Sequence, residues 1–197
     1  MLTKLFVGAT FYEDNHFAKK IQSFRARYDE KALINPGVFM PLVAPFEIPS
    51  TEFTSLSEDL AEEIESFFPA TEGFPVGFTG IDVFSRARKM MLYLNPQHMT
   101  DLDHCVEALT QVCNEHVEAR ELRPDESEKP FLTIGRFQDP LALNDAIEVA
   151  RREFEDCTAL PLKSVCLFQK HNGVWFQQAD LYSFPQVNAS AMYGDPT

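Results

Sequence analysis

The sequence predicts an α+β fold of two similar lobes, and three observations predict it. Short segments alternate between apolar and polar residues, the mark of half-buried strands. Between them lie segments with apolar residues three and four apart, the mark of amphipathic helices. The order strand, helix, strand, helix, strand runs over 3–84 and again over 88–169, and one more strand covers 173–183. The halves share this order while their residues differ, so the repeat is one of pattern. Residues 1–184 are expected to form a single two-lobed domain, with 185–197 as a C-terminal tail that has no periodic pattern.

The first strand, 3–11, places Leu5, Val7, Ala9 and Phe11 on one side. Asp14 is positioned to cap the helix that follows. Its stripe is Phe17, Ile21, Phe24 and Tyr28, with Lys19, Lys20, Arg25 and Arg27 between. A polar turn leads to a short strand over 38–43. Ser55 and Glu58 have the spacing of a capping box, ahead of the stripe Leu56, Leu60, Ile64 and Phe67. After Pro69, residues 74–84 form a long strand whose apolar side switches near Gly80, which requires a bulge. A turn at Ser85-Arg86-Ala87 leads into a strand over 88–94.

Asp101 opens a helix carrying Leu102, Cys105, Leu109, Val112 and His116. The charged stretch 119–129, which holds Pro124, is expected to be a surface loop. A short strand over 130–135 follows. Asp139-Pro140 starts a further helix, with proline in its first turn, and the stripe is Leu143, Ile147, Ala150 and Phe154. Strands over 159–169 and 173–183 are joined through Lys170-His171-Asn172-Gly173, a hairpin signal.

Composition narrows the function. Hydrophobic residues make up 45% of the chain and 18 are Phe, enough for a real core. The formal net charge of -13 repels phosphate backbones, so nonspecific nucleic-acid binding is disfavoured. No apolar run approaches a membrane span, and the first residues lack the hydrophobic block of a signal peptide. Cys105, Cys113, Cys157 and Cys166 include no CxxC pair and read as buried free thiols of a cytoplasmic protein. His104 and His116 complete no metal-ligand set with them, and no cofactor is expected.

Two strands carry the residues of most interest. In Pro130-Phe131-Leu132-Thr133-Ile134-Gly135-Arg136, Phe131 and Thr133 leave one face while Leu132 and Ile134 leave the other, towards a core. In Val38-Phe39-Met40-Pro41-Leu42, followed by Pro45-Phe46, Phe39 and Pro41 likewise share a face. If the two strands face one another, these four side chains line a common cleft. Arg136 follows the second strand, and Arg86, Arg88 and Lys89 cluster at a turn. Such groups can clamp a phosphate; equally, strand-end arginines pair with carboxylates, and the chain has 30 Asp and Glu.

These motifs, with Leu5-Phe6-Val7-Gly8 and Val83-Phe84, make residues 3–184 resemble the 2H phosphoesterase superfamily, which contains the 2'-5' RNA ligase-like proteins and cyclic nucleotide phosphodiesterases. The resemblance implies two lobes of antiparallel sheet with helices outside, related by a pseudo-twofold axis. It implies two His-x-Thr/Ser motifs facing each other across the cleft. One imidazole takes a proton from the attacking oxygen, the other gives one to the leaving oxygen of a 2',3'-cyclic or related phosphate, and the hydroxyls hold phosphate oxygens. Here the histidine positions fall on Phe39 and Phe131, and the first hydroxyl position on Pro41. Only Thr133 matches. Phenylalanine neither gives nor receives a proton, so no catalytic residue carries over.

The cleft candidates are therefore Phe39, Pro41, Phe131, Thr133, Arg136, Arg86 and Arg88. The two rings either fill the groove or form a platform for a flat ring. Thr133 either serves the strand or binds an anion. Three readings stay open: an inactive relative that binds a nucleotide or another phosphorylated small molecule; a phosphoesterase of altered mechanism acting on cyclic nucleotides or RNA 2',3'-cyclic ends; and a non-catalytic protein-interaction module whose partner the sequence does not name.

Overall fold

The computed structural model describes residues 1–34, 37–68, 73–86, 89–117, 130–156 and 159–186. In chain order the elements are β1 (Leu2–Phe11), α1 (His16–Tyr28), β2 (Phe39–Pro49), a short 3-10 turn (Ser50–Glu52), α2 (Phe53–Phe67), β3 (Pro75–Arg86), β4 (Lys89–Pro96), α3 (Thr100–His116), β5 (Leu132–Phe137), α4 (Pro140–Glu153), β6 (Ala159–His171) and β7 (Val174–Ser183). The order expected from the sequence is present in both halves, and the fold is the expected α+β architecture of antiparallel strands and helices.

The strands form one seven-stranded sheet in the order β2-β1-β6-β3-β4-β5, with β7 paired to β6. Exchanging β1 with β4, β2 with β5 and β3 with β6 maps this order onto its own reverse. Each half therefore sends its last strand into the other half's sheet. β6 lies beside β1 along residues 162–169, and β3 lies beside β4 along 78–86. Among the described residues the ladder that joins the two groups is the pairing of Pro75, Val76 and Gly77 with Pro161, Leu160 and Ala159.

The helices cross over as well. α1 and α4 pack on the β3–β5 side, while α2 and α3 pack on one another and on β7 and β2. The main core lies between sheet and helices. It takes Leu5, Val7, Ala9 and Phe11 from β1, Met40, Leu42 and Ile48 from β2, and the buried stripes of all four helices.

Several local features match their sequence signals. Asp139 accepts from the Leu141 N–H at the start of α4, with Pro140 in the first turn. The register of β3 shifts between Phe78 and Gly80, and Gly80 has φ +142, a value side chains avoid. Asn172 and Gly173 both take positive φ (48 and 85), as a two-residue hairpin turn requires.

Other features depart from expectation. Asn15, not Asp14, caps α1; its Oδ1 accepts from the Ala18 N–H at 2.6 Å, while Asp14 accepts from Gln186. α2 begins at Phe53, so Ser55 and Glu58 lie inside the helix. The 3-10 turn leads the backbone into it and no side chain caps it. α3 begins at Thr100 rather than Asp101; it buries Cys113, as the thiol reading expected, and also Thr110, while Val112 is partly buried against the core. Leu102, Cys105, Leu109 and Cys113 form its unbroken inner stripe, and His116 is drawn aside by Asp59. β2 continues to Pro49, well past residue 43. Among the described residues it pairs only with β1, so prolines within it break no second ladder there. β5 runs 132–137, which puts Arg136 inside the strand. The expected loop 119–129 and the tail beyond Gln186 lie outside the described residues.

Ile64 is fully buried in α2. Ile64→Ala should cost about 2–5 kcal/mol of stability through transfer and cavity terms, read as a lower urea midpoint with the spectrum of the fold retained.

Candidate functional site

Alternation along β2 sends Met40 and Leu42 into the core, and Phe39 and Pro41 to the opposite, helix-free face. Their β1 neighbours are Thr10 and Gly8. On β6 the same face carries Ser164, Cys166 and Phe168, because a register shift after Leu162 moves Val165 and Leu167 into the core. The result is a second apolar cluster apart from the main core: Phe6, Cys166 and Phe168, with Phe39 and Trp175 packed against them. Phe6 and Phe168 stack face to face at 4.6 Å with an angle of 1° between planes. The Phe39 centroid lies 5.7 Å from Phe6 and 5.5 Å from Phe168. Trp175 meets Phe6 edge-on at 4.7 Å. Gly8 makes room for the stack: a Cβ there would lie 2.7 Å from the Phe6 ring.

The other motif strand repeats the arrangement in smaller form. Leu132 and Ile134 are fully buried, and Phe131 and Thr133 face the other way, half-buried. The Phe131 ring lies 4.7 Å from Tyr93, which pairs with Thr133 across β4 and β5. Burial first, and then the neighbouring Asp82 carboxylate, pushes the Tyr93 phenol above its ordinary value, so it is neutral at physiological pH. Among the described residues the Thr133 hydroxyl has no hydrogen-bond partner.

Arg136 has a structural partner. Its Nη1 donates to both oxygens of Asp29, at 2.7 and 2.6 Å, and a quarter of its side chain is exposed. The Asp29 side chain is fully buried at the end of α1 and also accepts from Arg25 at 3.3 Å. Arg25 donates in turn to the Gly37 carbonyl, just ahead of β2. Burial pulls the Arg25 guanidinium below the usual arginine value, against the opposing effect of Asp29. One carboxylate thus ties the approach to β2 to the body of β5. The Arg86 side chain and Arg88 lie outside the described residues.

A row of polar groups, of which the sequence singled out only the Cys166 thiol, crosses β1, β6 and β7. Thr10 Oγ1 and Ser164 Oγ are 2.7 Å apart, Ser164 Oγ and Cys166 Sγ 3.0 Å, and Cys166 Sγ donates to Asp180 Oδ1 at 3.2 Å. Gln177 donates to the same oxygen. The signal was present in Ser164-x-Cys166-x-Phe168, whose period of two marks a second face of β6. Burial, reinforced by Asp180, pushes the Cys166 thiol up to about 12, so it is no nucleophile at neutral pH. Cys105 and Cys113 are buried free thiols, and Cys157 lies outside the described residues.

The histidines sit elsewhere. His116 lies 2.9 Å from Asp59 and 3.5 Å from Glu52 on the helical side, and His98 pairs with Asp103. His16, His104 and His171 are exposed. Among the described residues no group of three or more His, Cys, Asp or Glu could hold a metal ion, and no helix is long and apolar enough to cross a membrane.

The model of the 2'-5' RNA ligase superfamily matches residues 13–174. The chain belongs to that superfamily. Among solved structures, E. coli LigT complexed with 3'-AMP has a TM-score of 0.59 at 13% identity, covering 94% of this chain and 100% of LigT. The LigT complex with ATP gives 0.58 at 14% identity, with the same coverage. Kluyveromyces marxianus Usb1 gives 0.50 at 10% identity, over 88% of this chain and 96% of Usb1. At these identities the likeness is one of fold. No curated protein sequence gives a significant match. In this member of the superfamily the faces carrying Phe39 and Phe131 are lined by aromatic rings and a few hydroxyls.

Two outcomes follow from this geometry. Asp29→Asn leaves two arginines facing a neutral amide in a buried site and should cost about 3–5 kcal/mol in urea unfolding. Alkaline pH should also weaken the fold. Cys105 and Cys166 hold their protons up to about 12 in the native state, whereas an unfolded thiol releases its proton near pH ~8.5. The native chain therefore binds more protons between these values, and stability falls as pH rises through that window. The urea midpoint should drop between about pH 8.5 and 10.5, and drop less in Cys166→Ala.

Proposed function

We propose that this superfamily member has given up two-histidine phosphoester chemistry and uses its cleft to bind a nucleotide or another phosphorylated ligand carrying a flat ring. The observation that carries this reading is the pair of phenylalanines at the two motif positions, each half-buried among other rings. A benzyl side chain can neither accept the proton of an attacking oxygen nor deliver one to a leaving oxygen. Each such assist is worth typically ~10²–10⁴-fold, and both are missing. The described histidines bond to or lie on other surfaces, so none replaces them.

What remains favours binding over turnover. Stacking on an aromatic ring contributes roughly 1–3 kcal/mol per base, and Phe39 and Phe131 offer such rings. The unpartnered Thr133 hydroxyl is free to donate to a phosphate oxygen. Asp29 holds Arg136, three residues beyond Thr133 on the same strand and partly exposed, so its positive charge is fixed without the entropy cost of ordering a long side chain. The similar fold of E. coli LigT has been solved with 3'-AMP and with ATP, which supports a nucleotide as the first ligand class to test.

The direct test is hydrolysis of 2',3'-cyclic nucleotides across a range of pH. The wild-type chain should give no turnover above a heat-denatured control, and measurable turnover would refute the reading. The triple variant Phe39→His, Pro41→Thr, Phe131→His should gain activity that no single variant has. In a thermal-shift panel, a nucleotide that binds should raise Tm by mass action, and Thr133→Val should reduce the shift.

A further inference from the structure

The helix-free face of β1, β2, β6 and β7 bounds an open hollow of about 710 Å³. Phe39, Phe168 and Trp175 line its aromatic part. Its rim carries Ile34 and Phe176, each 48% exposed, and Leu33 next to Ile34 is 93% exposed. Large apolar side chains exposed around one concavity mark a surface for a partner chain.

Charge decides what kind of chain. Glu13 and Asp14 line the hollow and are exposed, and Lys163 is the one cation among its described lining residues. Glu13 is fixed by the Val38 N–H on Oε1 and Asp14 by Gln186 on Oδ2, so each carboxylate is oriented by one oxygen and keeps the other. The aromatic part suits a cation as well. Lys170 Nζ already stands 5.6 Å from the Trp175 ring centroid, so this ring accepts positive charge. A phosphate would meet the two carboxylates here, inside a chain whose net charge is already -13.

We propose that this hollow is a docking site for a basic peptide segment, one that places an arginine or lysine against Glu13, Asp14 and Trp175 and lays neighbouring apolar residues on Ile34 and Phe176. The hollow shares Phe39 with the proposed nucleotide cleft but includes neither Thr133 nor Arg136, so loss of nucleotide binding in Thr133→Val and loss of peptide binding in the Glu13→Gln, Asp14→Asn variant tell the two readings apart.

Trp175 is the only tryptophan in the chain, so its fluorescence reports on the hollow directly. The probe is a short peptide alternating arginine and leucine, titrated into the full chain at low and high salt. Saturable change in Trp175 fluorescence is expected, weakening as salt rises. The Glu13→Gln, Asp14→Asn double variant keeps both orienting oxygens and should bind about tenfold more weakly. A control variant, Glu62→Gln with Glu115→Gln, removes charges from the distant groove between α2 and α3 and should bind as the wild type does. Equal weakening in both variants would reduce the effect to bulk charge and overturn the proposal. So would a lack of response to the peptide, an equal response to a control peptide alternating glutamate and leucine, or equally tight binding of benzyltrimethylammonium, which would make the occupant a small cation.

Discussion

The buried carboxylate of Asp29 is the constraint on which the site depends. β2 and β5 are the two outermost strands of the main sheet path, and the hydrogen-bonded connection between their groups is a short stretch of β3 and β6. Such a link alone leaves the relative placement of two edges loosely fixed. Asp29 supplies a second link at the other end: it holds Arg136 of β5 directly and, through Arg25, the backbone just before β2. The backbone of Asp29 also bridges to that of Arg136. A buried ion cluster of this kind adds little net stability, since desolvation offsets most of the attraction. Its value lies in fixing geometry, because any arrangement that separates the three groups strands a charge in a dry interior.

The faces that carry Phe39 and Phe131 are built on this frame, and their chemistry follows from the strand period. A run of residues on β1, β2 and β6 turns from the core to the helix-free face. On the first sheet these residues are Phe6, Gly8, Thr10, Phe39, Pro41, Ser164, Cys166 and Phe168. Rings gather at one end and a short polar row runs from Thr10 to Asp180 at the other. Placing phenylalanine at residue 39 extends an apolar cluster already present, so that position is filled by packing and needs no ligand to satisfy it. Thr133 differs in having a hydroxyl with no partner among the described residues.

Most of the fold was legible because alternation and helical stripes are strong in this chain. The repeat of element order could be read directly, whereas the exchange of last strands between halves could not. Nothing in β3 or β6 alone says which neighbours it will find. The length of β2 was hidden by Pro45 and Pro49, which read as breaks until the strand is seen to be an edge. At the site, the shared faces of Phe39 with Pro41 and of Phe131 with Thr133 followed from the period of two. The partner of Arg136 did not, because Asp29 lies 107 residues earlier and looks in the sequence like one more turn carboxylate. The rings of Phe6, Phe168 and Trp175 were each visible as strand residues. Their meeting depends on which strands β6 pairs with, and the sequence of β6 does not name them.

Amide hydrogen exchange on the Asp29→Asn variant, compared with the wild type, tests the framing role most directly. If Asp29 holds both motif strands, protection should fall together at residues 38–41 and 134–137, on opposite edges of the sheet, while β6 and β7 keep theirs. Loss confined to the β5 residues, or an even loss across the whole sheet, would contradict it.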